Sequence, residues 1–134
     1  MRYVKISQKE LKKIGKLYES VMSNACHGLF FREGSALGAD IAALAMKKRD
    51  NYFEIAKNVL KERGWVEDVI FDGNKITVKG SIEVSKNEEP TCHRLRGILR
   101  HLYESYGTER IFCIEKKCES VGDKACIFNI EPIE

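Results

Sequence analysis

Apolar side chains recur along this chain in two rhythms. Leu11, Ile14, Leu17, Tyr18, Val21 and Met22 follow helical spacing, and Ser7 with Glu10 three residues on supplies a capping box ahead of them. A second helix is predicted from about Ser35 to Lys48 through Leu37, Ile41, Leu44 and Ala45. Its many small residues, among them Gly34 and Gly38, let another backbone or a ligand come close. A third runs from about Asn51 to Arg63 on Phe53, Ala56, Val59 and Leu60 and stops at Gly64, a left-handed cap residue. The rhythm then changes. Val66 to Phe71 reads as a strand, Asp72-Gly73-Asn74 as a turn, and Ile76, Val78, Gly80, Ile82 and Val84 alternate with Thr77, Lys79, Ser81 and Glu83 as a half-exposed strand. Glu88-Glu89-Pro90-Thr91 is helix-start chemistry, and Leu95, Ile98, Leu99, Leu102 and Tyr106 carry a helical stripe to Gly107. A last hairpin spans Arg110 to about Lys116 and Lys124 to Ile130 around a turn at Gly122-Asp123. This order predicts an α+β domain, a four-stranded antiparallel sheet with helices packed on one face.

Size and charge narrow the function. With 134 residues the chain is read as a single domain over 1–134, long enough to form a core without staples. A formal net charge of +3 is too mild for a nucleic-acid binder, and no helix-turn-helix pattern stands out. No apolar run approaches the roughly 20 residues that span a bilayer, and Met1-Arg-Tyr-Val-Lys-Ile lacks a signal-peptide core. A cytoplasmic protein is the expectation. Thiols stay reduced there, so the five cysteines suggest metal ligands, reactive groups or core fillers before disulfides.

Four of the chemically useful residues can meet. A helix from Cys92 to Tyr106 advances about 1.5 Å per residue, roughly 21 Å, and a strand from Thr108 to Glu115 returns roughly 23–26 Å at about 3.3 Å per residue. Glu115 therefore comes back beside Cys92, while Cys118 and Cys126 flank the Gly122-Asp123 turn. Three thiolates and a carboxylate suit tetrahedral zinc, and a helix N-terminus favours ionised Cys92. The set would carry a formal charge of about −2 with zinc bound, which Lys116, Lys117 and Lys124 could offset. Glu115 and Cys118, three apart, face the same way only if the strand bulges or ends at Lys116–Lys117. Spacing alone leaves two alternatives open: a Cys118–Cys126 disulfide, or thiols that merely pack. Cys113 is read as core filler, as is Cys26 in preference to a nucleophile paired with His27. His93, Arg94, Arg96, Arg100 and His101 are read as a solvated basic helix face, and Trp65 as packing at a helix-to-strand corner.

The array Cys92-His-Arg-Leu-Arg-Gly97, Ile114-Glu115-x-x-Cys118 and Val121-Gly122-Asp123-x-x-Cys126-x-Phe128 resembles the 4-vinyl-reductase, or hydrocarbon-binding, domain family. Such domains occur alone in archaea and in sensor modules of phenol-responsive transcription activators. Gly34–Gly38, Arg63-Gly64-Trp65 and Gly80-Ser81-Ile82-Glu83 fit upstream, so the likeness covers about Leu11 to Ile130.

The resemblance implies structural zinc on Cys92, Glu115, Cys118 and Cys126, a C-terminal zinc-binding part at 92–130, and the fold shared by trafficking-complex and nitric-oxide-signalling domains. It also implies a homodimer and a pocket between helices and sheet for a small apolar ligand. Leu37, Ile41, Leu44, Ala45, Phe53, Phe71, Val78, Ile98, Leu102 and Phe112 are the candidate lining. Phenol-sensing members use a His and a Trp. Here Ala42-Ala43-Leu44-Ala45-Met46 has no His and Thr77–Gly80 no Trp, which points to a more purely apolar or differently shaped guest. The reading is a non-catalytic binding or sensing domain. Its rivals are a reductase or accessory acting on a vinyl or tetrapyrrole group, for which no Gly-rich nucleotide cradle is present, and a dimeric interaction module.

Overall fold

A computed structural model describes residues 2–133. Its helices are α1 (Gln8–Met22), α2 (Cys26–Met46), α3 (Tyr52–Glu62) and α4 (His93–Gly107). Its strands are β1 (Asp68–Asp72), β2 (Lys75–Lys79), β3 (Ile111–Lys117) and β4 (Cys126–Pro132). The strands form one antiparallel sheet in the order β1-β2-β4-β3. Inward residues of the sheet, Val69, Ile76, Val78, Cys113, Phe128 and Ile130, meet Ile41, Ala45, Ala56, Leu60, Leu95, Ile98 and Leu102 of the helices in one core. The α+β architecture expected from the two rhythms is the observed one.

The centre of the helical layer is the α2–α4 crossing, and glycines set its distance. A Cβ on Gly34 would collide with the Arg94 carbonyl, and one on Gly97 with the Phe31 carbonyl. The small-residue stripe of α2 thus serves a backbone. Arginines fill the remaining gap: Arg94 lies over the Phe30 ring at 4.1 Å, and Arg96 and Arg100 lie over Phe31 at 4.2 and 5.1 Å. Arg94 is 6% exposed. The basic face of α4 is therefore packed, not solvated, because guanidinium planes stack on rings while their charge finds Glu83, Glu33 and Glu104.

Other expectations shift. α2 begins at Cys26, nine residues before Ser35; Gly28 and the lack of a side-chain cap hide its first turns. β2 ends at Lys79, since Gly80 takes φ 65° and turns the chain out of the sheet. The rest of the predicted strand is a loop in which Ser81 is buried. α1 has its capping box, yet none of its residues is buried, and Leu17 and Val21 are 63% and 78% exposed. Among the described residues no helix is long and apolar enough to cross a membrane.

Candidate metal centre

Cys92 is the N-cap residue of α4 but makes no side-chain cap hydrogen bond. That role falls to Glu83, whose carboxylate accepts the Arg94 and Leu95 backbone N–H groups at 3.2 and 2.8 Å. Glu83 caps the helix from the β2–α4 loop and leaves the Cys92 sulfur free to turn toward the hairpin. Burial pushes the Glu83 carboxyl up to about 7 against the opposing pull of these N–H groups and of Arg94.

The hairpin presents the other three donors. Glu115 pairs with Phe128 and Lys117 with Ile127, so Lys116 is the extra residue of a bulge. The bulge was the condition for Glu115 and Cys118 to face one way. After Cys118 a single 3-10 turn, Glu119–Val121, carries the chain toward Cys126, and the Asp123 carboxylate accepts the Cys118 N–H at 2.9 Å.

These elements bring Cys92, Glu115, Cys118 and Cys126 together, one ligand atom from each within 4.8 Å of all the others. The sulfurs stand 4.0 Å (Cys92–Cys118), 3.8 Å (Cys92–Cys126) and 3.8 Å (Cys118–Cys126) apart. All five cysteines are free, so the disulfide alternative is not the arrangement present. Cys113 lies outside the four and packs in the core. Cys26 is fully buried, which raises its thiol, and His27 stacks on His93 at 4.1 Å.

The electrostatics fit a cation. Glu115 Oε2 is buried with no hydrogen-bond partner among the described residues, a costly state for a carboxylate oxygen. Burial, then the Cys118 charge, pushes Glu115 up to about 9. Hydrogen bonds from Cys126 and Cys92 draw the Cys118 thiol down, and the same bonds push Cys92 upward and Cys126 up to about 12. In their ionised forms the four donors lack only a positive centre. A divalent ion would satisfy the orphaned oxygen and stabilise the three remaining anions. The Glu119 N–H already donates to Cys126 Sγ at 3.3 Å, as thiolate ligands require. Lys116, Lys117 and Lys124 are all exposed.

The loop between β2 and α4 is stitched to this centre. Ser81 accepts from the Cys92 thiol at 3.3 Å, Thr91 donates to the Glu83 carbonyl at 2.9 Å, and Ser120 accepts the Ser85 N–H at 3.0 Å. Sequence reasoning missed Ser81, Glu83 and Ser120. The available signal was a helix whose N-cap residue was already committed elsewhere.

The predicted apolar pocket is not an open chamber. Ile41, Ala45, Val78, Ile98 and Leu102 are 0–1% exposed and pack into one core. Leu44, Phe53 and Phe71 are half-buried. Leu37 and Phe112 do not belong to the lining: they are 42% and 52% exposed. Leu37 faces away from the sheet, and alternation along β3 turns Phe112 outward while Ile111 and Cys113 face in. Two surface grooves are present instead. One, of about 250 Å³, lies between α1 and the β2–α4 loop. The other, of about 530 Å³, lies at the far end of α4.

Helices over one face of a β1-β2-β4-β3 sheet, with three sulfurs and a carboxylate gathered between a helix N-terminus and a hairpin, define the class: an α+β domain whose C-terminal half carries a cluster that could hold a metal ion. Residues 74–132, somewhat under half of the chain, match the family model of the V4R domain. Among solved structures it is similar to the phenol-responsive sensory domain of the transcription activator PoxR with phenol. That likeness has a TM-score of 0.83 at 18% identity and covers 98% of this chain and 77% of that one. It is also similar to a vinyl-4-reductase family protein from Methanocaldococcus jannaschii, with a TM-score of 0.70 at 22% identity, over 99% of this chain and 85% of that one. At these identities the likeness is one of fold. No curated protein matches the sequence.

Proposed function

We propose that residues 1–134 act as one non-catalytic domain that binds or senses a small apolar or aromatic molecule and is held together by a structural zinc. The donor geometry is the observation that carries the zinc. A tetrahedron with zinc–sulfur bonds near 2.3 Å has edges of about 3.8 Å, and the three sulfurs stand 3.8–4.0 Å apart. Glu115, with its unsatisfied buried oxygen, takes the fourth corner. Four protein donors leave no place for a reacting water, so bound zinc supplies folding energy and a clamp between α4 and the hairpin. The fold shared with a phenol-responsive sensory domain supports the binding role.

The chain also works as a homodimer on this reading. α1 is amphipathic, yet its apolar side stays largely uncovered: Tyr18 touches Phe30 edge-on at 5.9 Å, while Leu17 and Val21 are 63% and 78% exposed. A second copy of the same helix is the occupant of matching chemistry.

Native mass spectrometry of protein purified under reducing conditions tests all three parts. The expected species is a dimer with one zinc per chain, which releases a small organic mass on denaturation. Less than about half an equivalent of zinc, with melting indifferent to chelator, overturns the zinc. A monomer overturns the dimer, and protein that never carries an organic guest counts against the binding role.

A further inference from the structure

α1 and α2 are parted by the backbone of Ser23. That residue takes φ 53° and ψ −142°, close to the first central position of a type II′ turn, which favours glycine and strains a residue with a side chain. Its neighbours stay helical: Ala25 has φ −61° and ψ −25°, Cys26 φ −66° and ψ −21°. Thr108, also at positive φ, is different, because its φ 59° and ψ 15° are the ordinary left-handed cap of α4. Met22-Ser23-Asn24-Ala25 contains neither a glycine to take the reversal nor a proline to forbid a helix. With helical dihedrals at Ser23, residues 8–46 would run as one helix.

The side chains match the straightened form. Leu17, Val21, Ala25 and Leu29 are all exposed and are divided between the two arms of the folded-back chain. Spaced four apart, they fall on one face of a continuous helix, as an apolar seam that crosses the joint unbroken.

The folded-back arm is held thinly. No residue of α1 is buried. Gln8 Nε2 donates to the Val84 carbonyl at 3.3 Å, Tyr18 meets Phe30 edge-on at 5.9 Å, and a groove of about 250 Å³ remains between α1 and the β2–α4 loop. Short hinges under strain favour exchange of an element between copies, since every contact given up within a chain is remade between chains.

We infer that Ser23 is a hinge and that the homodimer forms by exchange of α1. Each chain straightens at Ser23, its α1 lies along the β2–α4 loop of the other copy, and the two apolar seams pack together. The strain released at two hinges and the seam newly covered are what exchange adds over two closed monomers. The inference rests on the homodimer proposed above and names the surfaces that make it.

The test places cysteines at the latch, Gln8→Cys with Val84→Cys, in the zinc-loaded full chain. A short bismaleimide is added and the product is sized after denaturation, with the parent and its own five cysteines as the blank. A covalent dimer is expected from the double variant and from neither single variant. A dimer in solution that yields no covalent dimer, whether the link stays within one chain or does not form, would overturn the exchange and spare the homodimer. A monomer in solution would overturn both. Ser23→Gly, at ease at positive φ and poor in a helix, should weaken the dimer at least about tenfold by analytical ultracentrifugation, and Ser23→Ala should tighten it. Equal dissociation constants for the parent and both variants would overturn the hinge.

Discussion

The two ends of α4, about 21 Å apart along its axis, solve opposite problems with one helix. At its N-terminus the chain gathers groups that water would rather keep: three thiols, a carboxylate with an orphaned oxygen, and Glu83 buried as a borrowed cap. At its C-terminus it gathers rings. Tyr52, Phe53, Tyr103 and Tyr106 pack with neighbouring centroids 4.9–5.0 Å apart, and the buried hydroxyl of Tyr52 is satisfied within the protein. The aromatic end is complete as folded, because burial of apolar area needs no further partner. The cysteine end, on the reading proposed above, is complete only with a cation. On that reading stability is uneven, and which end fails first depends on metal and not on packing.

Stripping the metal is the strongest way to break that contrast. A chelator under reducing conditions, or Cys118→Ser, should cost at least about 3 kcal/mol, roughly 10 °C or more in melting temperature. The loss should be local. Amides of 80–94 and 118–126 should exchange early, while those of α3 and of 102–106 keep their protection. If both ends lose protection together at the first chelator addition, the two ends are one cooperative unit and the contrast is wrong.

Glu83 gives a smaller and more specific handle. Its carboxyl ionises near 4.5 when unfolded and near 7 when folded. Between those values the folded chain keeps a proton that the unfolded chain has released, so raising the pH through this window favours unfolding. The full effect is on the order of 3 kcal/mol. Glu83→Gln keeps an acceptor for the α4 N–H groups but has no proton to lose. Urea midpoints at pH 5 and pH 8 should fall further apart for the parent than for the variant. Parallel profiles would show that Glu83 is ionised in both states and that its burial is not what holds its proton.

What the sequence disclosed follows the same divide. The four candidate metal ligands were legible because helix rise and strand rise bring Cys92 and Glu115 to one end whatever the packing details, and the strand had to bulge or end at Lys116–Lys117; the register shift there is a bulge. The filled interior was not legible. Ile41, Ala45, Ile98 and Leu102 are the residues of a pocket wall and equally of a solid core, and only distances separate the two. Glu83 was misplaced because strict alternation from Ile76 continued on paper past Gly80, where a positive φ turns the chain away. Phe112 was taken for lining because its strand register was unknown. One residue of slip decides whether β3 offers Phe112 or Cys113 to the core. α1 was legible as a helix and silent about its partner, since amphipathicity fixes a face and not what covers it.

The smallest expected effect probes whether the ends communicate. Tyr52 is 2% exposed and donates its hydroxyl to the Leu102 carbonyl at 2.6 Å, and burial pushes that hydroxyl up to about 12. Tyr52→Phe keeps the ring contacts with Phe53 and Tyr106 and removes one oxygen. The Leu102 carbonyl lies inside α4, where a carbonyl is bonded along the helix, so it is not left wholly unpaired. The cost should be about 1 kcal/mol, seen as a shift of roughly 4 °C in thermal melting. Zinc content and its rate of loss to chelator should not change. A faster loss of zinc in this variant would mean that a hydrogen bond beside the aromatic end steadies the thiolates through the length of α4, and that the helix is a lever joining the two sites and not a wall between them.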